Sequence, residues 1–228
     1  ADEVEDEIKK IENVDEYNNK LRKEQLQIEN QMIEIAEQIS KIRKKYAQVL
    51  NEKINQELID LEMKNAKINV KVDYKVNEFY EDGKDQVEIF IKTNIGENEN
   101  ELTKIASGGE MSRIMLAIKK VLAEVDKMSV LIFDEIDTGI SGKAAKSVAS
   151  KLKSISKSHQ VLCISHLAAI AASADSNYYI SKKVENERTA TSVKLLQEQE
   201  VLQEIARISS GEINEVTLQY ANELRKNI

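Results

Sequence analysis

Asp134 and Glu135 directly follow the apolar run VLIF, residues 130–133, and His166 closes a second apolar run, QVLCISH, residues 160–166. Runs of this length bounded by turn residues are expected as strands buried on both faces. Their last residues then emerge at the carboxyl edge of a sheet, where open α/β sheets bind ligands. One carboxylate at such an edge can hold magnesium, directly or through water. The next can orient or deprotonate a water that attacks a terminal phosphate. The plainer alternative is a strand that merely ends in solvated acids.

A third element precedes these two. In IASGGEMSRIMLAIKKVLAEV, the residues Ile114, Ala117, Ile118, Val121, Leu122 and Val125 recur at helical spacing, so a helix starts near Ser107-Gly108-Gly109-Glu110. A helix start carries unpaired N–H groups and a partial positive charge, and paired glycines let an anion approach the backbone closely. Taken alone, Ser-Gly-Gly is an N-cap with a flexible approach.

A phosphate-cradling loop would need G-x-x-x-x-G-K-[ST]. Gly142-Lys143 fails this pattern: Asp137 stands five residues before the glycine and Ala144 follows the lysine. Gly83-Lys84 is followed by Asp85, and Gly108-Gly109 by Glu110. The chain has no Walker A loop.

These elements sit in a chain of 228 residues with 32% charged residues, 4% aromatics, no Trp and no Pro. That composition suits long uninterrupted helices better than a β-sandwich. The net charge of −7 argues against a broad nucleic-acid-binding surface on this segment. The single Cys163 excludes an internal disulfide, and its apolar run places it as a buried, inert thiol. With no apolar run near 18 residues and no signal peptide, the chain is expected to be soluble and cytoplasmic.

The first sixty residues carry a heptad. Leu21, Ile28, Ile35, Ile42 and Val49 recur every seven residues, with Gln25, Met32, Ile39 and Tyr46 four further on. This is the a/d spacing of a coiled coil, which needs a partner helix. Val4, Ile8 and Ile11 continue it in another phase, with a slip near Val14 to Tyr17. The competing reading is an amphipathic helix packed on a globular core. Beyond it, KINVKVDYKV and QVEIFIKTN alternate as two strands, NIGENENELTK reads as a polar loop, GKAAKSVASKLKSISK as an amphipathic helix, and LAAIAASAD as a short helix. NYYISKKV and RTATSVKLL form an expected hairpin. Two helices close the chain, broken at Ser210-Gly211.

The order and spacing of the three elements resemble the C-terminal half of an ABC-type ATPase head: signature motif, Walker B and switch histidine. DEID in place of the transporters' Asp-Glu-Pro-Thr resembles the SMC-like branch, whose heads carry long coiled coils. The strings KTNIGENENELTKIASGGEMSRIMLAIK, LIFDEIDTGISGKAA and QVLCISHLAAIAASAD are similar to its bacterial DNA-repair members, from about Leu61 to Arg207. The resemblance implies an α/β fold, the C-terminal lobe of an ABC/SMC-type P-loop ATPase head over 63–228, preceded by a coiled-coil arm over 1–62. It implies ATP and Mg2+ as cofactors, with Asp134 toward the metal, Glu135 polarising the attacking water and His166 at the γ-phosphate. Ser107, Gly108, Gly109 and Glu110, with Ser141 after the Walker B turn, would meet the nucleotide at a junction with a second head. Ser141 stands where many relatives have Asp, and Pro-Gln is missing after His166-Leu167.

Implied partners are the N-terminal half carrying Walker A, a second head in an ATP-dependent homodimer, and DNA through the full-length protein, with no membrane. The function implied is DNA double-strand break repair, with this chain alone inactive. The alternatives are a non-hydrolysing coiled-coil scaffold with a degenerate dimerisation head and a transporter nucleotide-binding domain; the heptad arm and Asp137 speak against the transporter. Among single residues, His159 is expected at the surface, and Lys119 and Lys120 on a solvated face. Arg113 either faces phosphate or completes the helix electrostatics, and Tyr178 and Tyr179 are expected to pack.

Overall fold

The computed structural model describes the backbone of residues 2–105, 107–185 and 188–227, and the side chains of 14–105, 107–182 and 190–227. It divides into two compact units, residues 1–49 with 70–89, and residues 50–69 with 90–228. Helix α1 runs from Asp2 to Asp60 without a break, as a proline-free, charge-rich sequence allows.

In the first unit the heptad stripe is left open. Leu21, Ile28, Met32, Ile35, Ile42 and Tyr46 are all exposed. Val4, Ile8 and Ile11 lie outside the described side chains. A different face of α1 is buried, through Ala36, Ser40 and Ala47. The contact is polar at its centre: buried Asp85 accepts from Ser40 Oγ at 2.7 Å and from Arg43 Nη1 at 3.3 Å, and Arg43 Nη2 reaches Asp82 at 2.9 Å. One helix therefore serves both readings of its pattern, packing on one face and keeping an apolar stripe free on another.

Strands β1 (Lys67–Tyr74) and β2 (Asp85–Lys92) come from the two alternating segments, and a two-residue β3 (Asn100–Glu101) pairs antiparallel with β2. The sheet order is β1-β2-β3. The expected polar loop thus contains a strand and one 3-10 turn at Leu102–Lys104.

The second unit holds α2 (Gly108–Leu122), β4 (Val130–Phe133), α3 (Gly142–Ile155), β5 (Gln160–Cys163) and α4 (Ala168–Ser173). Hairpin β6–β7 (Tyr178–Glu185, Arg188–Leu195) and helices α5 (Glu198–Ser210) and α6 (Glu215–Lys226) follow. Strands β4 and β5 pair in parallel, in register from Val130 with Gln160 to Phe133 with Cys163. Their connection through α3 is the crossover that parallel pairing requires. Ile114, Leu116, Ala117, Leu131, Phe133, Ile136, Val148, Ala149 and Ile155 form the core that locks α2, α3 and the sheet together. Val201, Ile205, Ala206, Ala221 and Leu224 make a second cluster with Ala172. Gly211 (φ +81) ends α5 as expected, its N–H donating to Arg207 O at 2.8 Å.

The sheet corrects one expectation. Strand β4 alternates, with Leu131 and Phe133 buried but Val130 and Ile132 exposed, and Leu162 and Ile164 are likewise exposed. Among the described residues, only one face of the pair is covered. Tyr178 and Tyr179 do not pack either: both are exposed on β6, alongside Ile180, Val193 and Leu195. Val125 lies beyond the end of α2 and is exposed.

Candidate functional site

Parallel register does the first positioning. Because Phe133 lies opposite Cys163, and Ile164 N donates to Phe133 O at 2.9 Å, both strands end at the same sheet edge. Asp134 and Glu135 leave one strand there, and Ser165 and His166 leave the other. Asp134 is exposed, with Oδ1 accepting from Glu135 N at 2.9 Å. Glu135 is also exposed and has φ +56, a left-handed conformation that costs a non-glycine residue about 1 kcal/mol or more. Thr138 N closes the turn onto Glu135 O at 3.0 Å.

Helix α2 runs back toward this edge and delivers its N-terminus to the turn. Ser107 is the exposed N-cap, its Oγ accepting from Glu110 N at 3.4 Å. Three contacts fasten the helix to the turn. Ser112 Oγ donates to Asp134 O at 2.6 Å, and Arg113 Nη1 donates to Ile136 O at 3.2 Å and to Thr138 O at 2.8 Å. Arg113 therefore neither faces phosphate nor acts as a surface charge. It is buried, burial pulls its guanidinium below the usual range, and its Nε has no partner.

The two signature-position glycines do different jobs. A Cβ on Gly109 would fall 2.9 Å from Thr138 Cβ, 3.0 Å from Glu135 O and 3.1 Å from Thr138 O. Only glycine lets the helix lie this close to the turn. A Cβ on Gly108 would instead meet Glu135 Oε2 at 2.3 Å, the mobile end of a side chain. The Glu135 carboxylate thus rests over the tip of its own chain's helix, where an anion is favoured. Gly109→Ala should destabilise the chain by about 1–3 kcal/mol by overpacking, which outweighs the gain of up to about 1 kcal/mol usual for such a change in a helix. Gly108→Ala should stay within about 0.5 kcal/mol of the parent, because only a flexible carboxylate must move. Urea unfolding of both variants checks the contrast.

The residue that joins the two strand ends is Asp137, which the sequence pattern did not single out for this. Its carboxylate is 3% exposed. Oδ2 accepts from Ser165 Oγ at 2.6 Å and from His166 N at 2.7 Å, and lies 3.0 Å from His166 Nδ1. Ser165 Oγ in turn accepts from Leu167 N at 3.0 Å. The imidazole itself is 75% exposed. So Asp134, Glu135 and His166 share one rim, with the tip of α2 beside it, Ser107 and Gly108 open to solvent and Gly109 buried against the turn.

Other residues fall elsewhere. Ser141 is the exposed N-cap of α3 with no capping bond from its side chain, and Glu110 sits in the first turn of α2. His159 is buried rather than on the surface, its Nδ1 2.8 Å from Ser158 Oγ. Lys119 and Lys120 are partly buried, paired with Asp126 and Ser154 respectively. Cys163 is half-buried, and desolvation, with the charges of Asp137 and Asp134, pushes its thiol up to about 12. Burial thus disfavours the thiolate, the form that acts as a nucleophile.

The donor set bears on metal and nucleotide. Among the described residues, no group of three or more His, Cys, Asp or Glu side chains forms a metal cage. Magnesium does not need one, since it keeps several waters and is held through one or two carboxylates and the substrate phosphates. The exposed Asp134 fits that pattern.

No family model matches the chain. Over 243 aligned positions, covering 99% of the chain, it is 39% identical to DNA repair protein RecN of Bacillus subtilis. It is 44% identical over 82% of its length to RecN of Halalkalibacterium halodurans, and 48% identical over 62% to RecN of Treponema pallidum. The chain spans less than half of these relatives: 42%, 34% and 25% of their lengths. Among solved structures, the Smc head domain of Pyrococcus yayanosii, with its coiled coil and joint, matches 74% of the chain at TM-score 0.51 and 18% identity, covering 30% of that protein. The fold is that of an SMC-type head with a coiled-coil helix.

Proposed function

From a chain homologous to the RecN DNA repair proteins over nearly its whole length, we propose the C-terminal lobe, residues 63–228, of an SMC-like ATPase head, with residues 1–62 as one arm of its coiled coil. The head acts in repair of DNA double-strand breaks and reaches DNA through the complete protein in the bacterial cytoplasm. One observation carries the catalytic part: parallel register brings the DE and SH strand ends to a single rim, braced by Asp137.

On this reading ATP and Mg2+ are the cofactors, and magnesium supplies charge stabilisation for the phosphates. Asp134 would hold it, a single carboxylate sufficing through water, with Glu135 orienting the attacking water and His166 facing the γ-phosphate. Ser107, Gly108, Gly109 and Glu110 present N–H groups and helix dipole to the triphosphate held by a second head, with Ser141 and Ile140 at that junction. ATP then joins heads and hydrolysis releases them, a two-state switch biased by ligand. For Glu135 to act on water it must leave its resting place over Gly108, and a triphosphate arriving at the same positive helix tip competes for that place.

The partner that completes the nucleotide site is the N-terminal half with its Walker A loop. Two features support it: the apolar residues Val130, Ile132, Leu162 and Ile164, left bare on one face of the β4–β5 pair, and the relatives' greater length. The exposed heptad stripe suits the returning arm of the same coiled coil. The purified chain alone is expected to release no measurable phosphate from ATP, and adding the N-terminal half should restore release. Turnover by the chain alone that Glu135→Gln abolishes would show instead that the chain needs no second half.

A further inference from the structure

We propose that Asp137 is the positioning residue that keeps the proton of His166 on Nδ1, so that the neutral imidazole offers Nε2 as an acceptor. The role given to His166 rests on the reading above; the tautomer does not. Imidazole has two neutral forms, and its neighbours decide between them. Here a buried carboxylate oxygen lies 3.0 Å from Nδ1. A bare nitrogen lone pair beside an anionic oxygen at that distance is repelled, whereas a protonated nitrogen is attracted. The carboxylate cannot turn away cheaply, because the same Oδ2 holds Ser165 Oγ at 2.6 Å and the His166 backbone N–H at 2.7 Å.

The rest of the surroundings leave the ring no competing tether. Among the described residues no other side chain is paired with the His166 ring, and its side chain is 75% exposed. Asp137 is thus the charged group set beside an outward-facing ring.

The consequence narrows what His166 does. With Nδ1 protonated, the neutral ring cannot donate from Nε2 to a phosphate oxygen; it can accept from a water. His166 then helps Glu135 to orient the attacking water, accepting through Nε2. The arrangement has the logic of a carboxylate–histidine pair, in which the acid fixes the tautomer without being protonated.

The test is imidazole 15N spectroscopy of the labelled chain, which has two histidines. His166→Gln assigns the signals, and buried His159 serves as internal reference. His166 is expected as the Nδ1–H form at a pH where the ring is neutral, and Asp137→Asn should shift it toward Nε2–H. A wild-type ring in the Nε2–H form, or a ring unmoved by Asp137→Asn, overturns the assignment whether or not the head is an ATPase. The wild-type spectrum alone decides if the variant fails to fold. In the complete protein, Asp137→Asn should lower kcat by at least about 10-fold with KM for ATP unchanged, taking as a lower bound the loss usual when the orienting partner of a metal-bound histidine is removed. An unchanged kcat would overturn the positioning role.

Discussion

Glu135→Gln in the complete protein is expected to lower ATP turnover by about 10²–10⁴-fold, the range that general-base assistance contributes. Gln keeps the size of Glu and can still sit over Gly108, so the fold loses nothing: no hydrogen bond within the turn depends on the Glu135 carboxylate, whereas its carbonyl holds Thr138 N. Stability of the variant should therefore stay within about 0.5 kcal/mol of the parent. ATP still binds, because Asp134 and the helix tip are intact, so heads should accumulate in the ATP-joined state. Phosphate release and size-exclusion chromatography in the presence of ATP check both halves of the expectation. Undiminished turnover would take the water-activating role from Glu135, whereas a parent protein that releases no phosphate and is unchanged by the substitution would favour the non-hydrolysing scaffold.

Arg113→Met should cost about 2–3 kcal/mol of stability. The substitution strands two carbonyls, those of Ile136 and Thr138, and each unsatisfied buried acceptor costs about 1–3 kcal/mol. The total is less than the sum because the replacement also removes a desolvated charge with an unpaired Nε. Arg113→Lys should not rescue it, since one flexible ammonium cannot replace the fixed fork of a guanidinium. Urea midpoints of the three proteins measure this. The effect should also reach the site, because the bonds that Arg113 makes fix the turn that carries Glu135 at one end and Asp137 within it.

Much of this geometry was legible in the residue pattern. The Asp134-Glu135 and His166 positions followed from short apolar runs that end in polar chemistry, and the helix start followed from Ser107-Gly108-Gly109 before an apolar period of 3.6. The bare sheet face was not legible. Ile132, Leu162 and Ile164 are apolar whether their cover comes from this chain or from elsewhere, and a run of apolar residues does not say which.

Asp137 escaped notice for a related reason. Its partners stand 28 and 29 residues away, and only the crossover through α3 brings them together. Arg113 did leave a signal: it lies four residues before Ala117, on the stripe shared with Gly109 and Leu116, where a charge must find partners. His159 likewise sits one residue before the strand β5, and its burial could not be read from its type.

The tip of α2 lies beside Glu135 of its own chain, so the decisive question is whether it serves its own nucleotide or that of a second head. Mixing two complete proteins, one carrying Glu135→Gln and the other Ser107→Arg, answers it. If each site draws its acid from one head and its helix tip from the other, freely assorted heads should regain about a quarter of wild-type turnover, since half the dimers then hold one intact site of two. A mixture as inactive as either parent would contradict the shared site and return the helix tip to its own chain.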